Sequence, residues 1–192
     1  MTPYSTLRIV TIAMLLALTT SVAQAYEWSG HVGVLAGGKL LDASDWPDLD
    51  KHFSLGFISD VKEASWPISM ALDLMDTGGK HDHDGMEDLG HTTEIHLGVR
   101  KIFLDQHRQM QPYIGGGVAF MYAEQEYESG SGIVKQDDSA WGAWFGAGVY
   151  YAVRPRFVLG LDARYSRGEV SLFNQDRDAG GIHVYITAGH QF

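Results

Sequence analysis

Charged side chains recur at alternate positions of otherwise apolar stretches. Asp73, Glu94, Arg100, Asp162 and Arg164 do so, with His31, His96 and His183 on matching positions. Carboxylates, guanidiniums and imidazoles brought to one place either pair and close a polar interior or line a path for ions. The balance within this set favours pairing. Arg100 and Arg164 neutralise part of Asp73, Glu94 and Asp162, and the remaining acid implies a protonated carboxyl, an enclosed water or an enclosed cation.

A second group lies in His81-Asp82-His83-Asp84-Gly85, with Glu87, Asp88 and His91 after it. Imidazole and carboxylate are ligands for zinc and related metals. Alternate residues of a loop do not make a preorganised site, so His81, Asp82, His83 and Asp84 are weak metal candidates on a solvated acidic loop. Asp82-x-Asp84-Gly85 matches the opening of a calcium loop, but the full twelve-residue ligand spacing and the closing Glu are missing. A third set, Asp76, His91, Thr93 and Arg167, would face lipid near the long-loop end of the strands. No Ser joins it and no Gly-x-Ser-x-Gly occurs, so covalent hydrolysis is the least favoured reading.

The elements that must hold these residues are strands. Gly142 to Arg167 is a hairpin turning at Arg154-Pro155. One face carries Ala143, Phe145, Ala147, Val149, Tyr151 and Val153, then Phe157, Leu159, Leu161, Ala163 and Tyr165; the other is small, glycine-rich and charged. The same period of two marks strands at 26–36, 52–61, 66–76, 91–103, 111–125 and 181–192, with long polar connections at 37–50, 77–90, 126–139 and 169–180. The fold class expected is all-β: an eight-stranded antiparallel up-and-down transmembrane barrel whose short and long connections alternate.

A soluble barrel of equal strand number would bury the apolar face instead. Three features favour lipid outside. Gly56, Gly98, Gly115, Gly117, Gly146, Gly148 and Gly160 share the polar face and suit a narrow interior. Charges of both signs share it too. Aromatics gather at the strand ends, with Trp28, Trp66, Phe103, Tyr113, Tyr151, Phe157 and Phe192 toward the short turns and Phe53, Tyr122, Trp141 and Tyr165 toward the long loops.

Residues 1–25 read as a secretory signal peptide: a basic Arg8, an apolar run from Ile9 to Leu18 and a small-residue site at Ala23-Gln24-Ala25. Residues 26–192 form the barrel domain. Without the signal the chain keeps 13 bases against 24 acids, a net charge of −11 that excludes nucleic acid as a partner. There is no cysteine, so packing and hydrogen bonds alone hold the exported chain.

Pro112 to Phe120, with its Gly115-Gly116-Gly117, the segments Gly146 to Tyr151 and Leu161 to Tyr165, and Phe192 resemble the small outer-membrane β-barrel family of the OmpA/OmpX type. The resemblance is specific over Tyr113 to Tyr165 and the last residue. It implies a Gram-negative outer membrane and makes Phe192 part of the signal read by the outer-membrane assembly machinery. His190 stands where the family carries a larger apolar residue. The function expected is non-enzymatic: a structural or surface-interaction role through acidic extracellular loops, with outer-membrane lipid, lipopolysaccharide and an extracellular ligand as partners. No cofactor is expected beyond divalent cations at the acidic loops. The alternatives are a narrow pore or small-solute channel and, third, a lipid A-modifying enzyme.

Overall fold

The structure is a computed structural model that describes residues 28–46, 49–83, 86–103, 109–129 and 132–192. The signal-peptide reading falls outside those residues, as do Asp84 and the side chains of His81, Asp82 and His83. Eight strands form the wall: β1 (Trp28–Leu40), β2 (Lys51–Glu63), β3 (Ser69–His83), β4 (Met86–Ile102), β5 (Met110–Ser129), β6 (Gly132–Arg154), β7 (Phe157–Arg167) and, after a separate hairpin of β8 (Glu169–Leu172) with β9 (Gln175–Asp178), β10 (Gly181–Gln191). They close a barrel in the order β1-β10-β7-β6-β5-β4-β3-β2, every neighbouring pair antiparallel. The β8–β9 hairpin sits in the last long connection. It turns on Phe173 and Asn174, both with positive φ (53° and 58°), the backbone that a two-residue hairpin turn demands.

Closure sets the tilt. Following cross-strand partners once around, Tyr122 leads through Thr93, Asp76, Leu55, Ala36, Ile186, Leu161 and Val149 back to β5 at Pro112, ten residues from the start. A stagger of this size tilts the strands strongly and leaves an interior that side chains fill.

The outer wall carries the apolar set. Val34, Leu55, Met70, Leu97, Ile114, Val118, Phe145, Leu161 and Ile186 are exposed there, with Trp141 at 70 % and Phe53 at 62 % toward the long connections. Trp66, Phe103, Tyr151, Phe157 and Phe192 are exposed toward the other end. An exposed apolar band around a closed barrel, bordered by aromatics, fits lipid and not water. Tyr113 departs from the expected belt: it is buried in the lumen, in phase with Gly115 and Gly117. Ser59 faces outward, yet its hydroxyl donates to Leu72 O at 2.5 Å and its N–H to Asp73 Oδ1 at 3.0 Å, so neither group is left bare in lipid.

The strands run further than the apolar alternation does. β3 and β4 continue to His83 and from Met86, across most of the expected 77–90 loop, and β5 and β6 form a ribbon through the expected 126–139 loop. Beyond the lipid there is no apolar face to alternate, so only the backbone ladder marks the strand.

Candidate functional site

The small polar face builds the lumen. Gly98 and Gly117 keep neighbouring strands bare: a Cβ on Gly98 would lie 2.2 Å from Gly116 O, and one on Gly117 2.1 Å from Leu97 O. Into the space left by glycine reach long side chains from every wall strand, and they meet in one network.

At its centre Asp73 receives two guanidiniums. Arg100 Nη2 donates to Asp73 Oδ2 at 2.7 Å, and Arg164 Nη1 to the same oxygen at 3.0 Å. Arg100 also reaches Asp60 at 3.2 Å, and Arg164 Nε donates to Asp162 Oδ1 at 2.6 Å. Tyr113 donates its hydroxyl to the other oxygen of Asp162 at 2.5 Å. The guanidiniums also lie over aromatic faces, Arg100 at 4.9 Å from the Tyr113 ring centre and Arg164 at 5.7 Å from that of Trp144 and 5.6 Å from that of Tyr185.

Toward the long connections, Lys39 Nζ lies 2.7 Å from Glu94 Oε1, and His96 Nε2 lies 2.8 Å from Glu94 Oε2. Arg164 Nη1 is 3.5 Å from Nδ1 of His96. A guanidinium only donates, so this contact assigns the His96 proton to Nε2, which gives it to Glu94. His183 joins Glu94 at 3.4 Å and also bonds Ser166 at 3.0 Å and Tyr185 at 2.9 Å. Toward the chain ends, His31 links Asp60 at 3.1 Å to Gln111 at 3.0 Å, and Gln111 donates to Gln191 at 3.1 Å.

The expected lumen residues Asp73, Glu94, His96, Arg100, Asp162, Arg164 and His183 are thus all buried and in contact through this network. Its wiring differs from the expectation. Glu94 pairs not with an arginine but with Lys39, which the sequence pattern leaves in a loop because Gly37-Gly38 precede it. Asp60 is a further inward acid. Among the described residues, four buried carboxylates, Asp60, Asp73, Glu94 and Asp162, face three cations, Lys39, Arg100 and Arg164, with buried imidazoles between them.

Two apolar clusters seal the network. Leu35, Ile58, Met75, Tyr113, Tyr150, Val158 and Tyr185 pack below and among the charges. Beside Ile58, Tyr150 and His31 lies a void of about 10 Å³, the size of one water at most. Above, Leu41, Trp46, Leu49, Met121, Trp144, Val170, Leu172 and Ala179 close the mouth. These residues come largely from two long connections folded across the opening. Trp46 is fully buried and donates from Nε1 to Asp178 O at 2.8 Å, while Asp178 N donates to Asp45 Oδ2 at 2.9 Å. Lys39 ties this cap to the network below, donating to Ala179 O at 2.6 Å and to Thr92 at 2.8 Å. In the sequence the cap shows only as Leu41, Trp46 and Leu49 in one acidic loop and the short alternation Val170, Leu172 in another.

Of the outward polar set, three residues do meet. His91 Nε2 is 2.8 Å from Asp76 Oδ1, and Thr93 donates to that same oxygen at 2.9 Å. Arg167 is elsewhere, 3.7 Å from Glu169 and from Asp178. The Thr93 hydroxyl and the His91 imidazole thus share one oxygen of Asp76.

Known proteins share this architecture. A major outer membrane protein of Thermus thermophilus superposes with a TM-score of 0.62 at 10 % identity, over 87 % of this chain and all (100 %) of its own. Ail of Yersinia pestis, in complex with the heparin analogue sucrose octasulfate, gives 0.54 at 14 % identity over 86 % of this chain and 97 % of its own. OprG of Pseudomonas aeruginosa gives 0.54 at 12 % identity over 86 % and 95 %. Likeness at such identities is a likeness of fold. A search of curated proteins returned no match to the sequence. Residues 10–187 match the profile of the outer membrane protein beta-barrel domain. The match places the chain in the bacterial outer membrane and accounts for the lipid-compatible wall. By that match over most of its length, the chain belongs to the outer membrane protein beta-barrel domain family.

Proposed function

We propose that the chain is a non-conducting, non-enzymatic barrel that works through its surface, with both ends of the barrel domain and the short turns in the periplasm and the long connections outside. The observation that carries this reading is the doubly blocked lumen: the Arg100, Asp73 and Arg164 cluster fills the middle, and the Trp46 cap fills the mouth. Short turns inside and long loops outside is the arrangement of bacterial barrels. Phe192 acts in the assembly signal. Asp42, Asp45, Asp50, Asp88, Glu126, Asp137, Asp138, Asp176 and Asp178 lie at the outer end, so its field is acidic.

That sign bears on the ligand class. The sulfated analogue held by Ail is a polyanion, which an acidic rim repels. Cationic ligands, or lipopolysaccharide phosphates bridged by divalent cations, suit this rim. Planar-bilayer recording tests the reading. A silent bilayer is expected, whereas sustained single-channel steps that disappear in Asp162→Asn or Arg164→Gln would establish the pore instead. Lipid A from cells with and without the protein should have the same mass spectrum; a lost acyl chain would establish the enzyme.

A further inference from the structure

At the short-turn end the wall opens into a cleft of about 400 Å³ between the β2–β3 turn and the end of β4. Its size is that of a ligand pocket. Lys62 and Lys101 line it with Trp66, Ile68, Ile102 and Phe103. Ile68, Trp66 and Phe103 belong to the exposed lipid-facing set, at 40 %, 40 % and 47 %. Trp66 stands edge-on to Trp28 at 5.7 Å, and Lys101 donates to Pro67 O at 2.7 Å, so the turn and the strand end hold each other in place.

The charge here runs against that of the molecule. The whole chain carries −10, yet the described charged residues of this rim are Lys62, Lys101, Arg154 and Arg156 against the single acid Glu63. Ser65 donates to the Glu63 carboxylate within the turn. Two ammoniums beside an apolar wall at the level of the aromatic belt match one kind of ligand: a phosphate head carrying an acyl chain.

We infer that this cleft is a binding site for an anionic phospholipid of the inner leaflet, its phosphate between Lys62 and Lys101 and an acyl chain along Ile68 and Phe103. The inference rests on the orientation given under the proposed function. A cleft lined by lysine on an acidic barrel lets the periplasmic rim select its lipid while the outer rim selects by the opposite sign.

Native mass spectrometry of the purified chain, released from micelles holding equal phosphatidylglycerol and phosphatidylcholine of matched chains, tests it. The wild type should retain phosphatidylglycerol in preference. Lys62→Gln and Lys101→Gln should each cut that preference about fivefold, the equivalent of about 1 kcal/mol per lysine near an anionic surface. Arg154→Gln, on another turn, should leave it unchanged. Equal retention of both lipids by the wild type overturns the inference, as does a loss in Arg154→Gln equal to that in Lys62→Gln. Heat-modified gel mobility reports folding; should Lys101→Gln misfold through loss of its bond to Pro67, Lys62→Gln decides alone. Orientation is read separately. The chain has no cysteine, so Ser65→Cys with an impermeant maleimide on intact cells should stay unlabelled. Labelling would overturn the orientation and leave the lipid preference standing.

Discussion

Arg100 and Arg164 converge on one oxygen, Oδ2 of Asp73, at 2.7 and 3.0 Å. Two like charges meet there only because the acid between them is shared. Asp60 and Asp162 hold their far sides.

Asp73→Ala should therefore be strongly damaging. It leaves two buried guanidiniums facing each other, and breaking a buried ion pair by removing one partner costs about 3–5 kcal/mol. Guanidinium unfolding in lipid vesicles should give a midpoint well below wild type. A midpoint shift no greater than that of an exposed control such as Asp137→Ala would mean that Asp73 is not the keystone.

Lys39 and Glu94 offer a sharper measurement, because each can be neutralised without loss of bulk. Lys39→Met alone should cost about 3–5 kcal/mol by leaving Glu94 without its cation. Lys39→Met with Glu94→Gln should recover part of that loss, giving a coupling of about 0.5–3 kcal/mol in a double-mutant cycle. Strict additivity would show that the 2.7 Å pair carries no energy of its own.

Trp46 tests the cap separately from the barrel. Trp46→Ala removes the ring that fills the mouth and its bond to Asp178, so limited proteolysis should nick the two capping connections while the strands survive. Conductance should stay absent, because the arginine cluster below still blocks the lumen. Open channels in this variant would place the barrier at the cap.

Asp138 lies on β6 beyond Trp141, outside the lipid-facing band. The N–H of Ser171, at 2.7 Å, and that of Ser139 hold its carboxyl below the ordinary carboxylate range. A depressed folded value contributes stability above the unfolded value, lost as pH falls through the folded one. The Ser171 amide resonance should therefore shift as the solution is taken below about pH 4, as β8 loosens from β6. In Asp138→Ala that titration should vanish.

The wall and the cap are not equally legible in the sequence. Strand number, the facing of Asp162 and Arg164, and the outward set from Phe157 to Tyr165 follow from a period of two, because lipid on one side and a crowded lumen on the other enforce it at each step. Asp60 follows from the same period, opposite Phe53, Leu55 and Phe57; Lys39 does not. Two glycines beside Lys39 read as a loop, and its partner Glu94 is 55 positions away, a distance over which no local pattern acts. For Tyr113 two signals conflict: an aromatic near a strand end suits the interface, while its phase with Gly115 and Gly117 points inward, and the phase wins because Asp162 takes its hydroxyl. The cap is set by tertiary packing of two connections, and its one periodic trace, Val170 and Leu172, is too short to announce a strand.

Every wall strand places a side chain in the lumen cluster: Lys39 from β1, Asp60 from β2, Asp73 from β3, Arg100 from β4, Tyr113 from β5, Tyr150 from β6, Arg164 from β7 and His183 from β10. A strand entering hydrocarbon alone would drag its charge, or its bare backbone, through the bilayer. The same side chains cost nothing of the kind once opposite charges face inward across a completed circle. Partial insertion is thus a costly state, which favours a concerted route into the membrane: the circle closes as the strands cross.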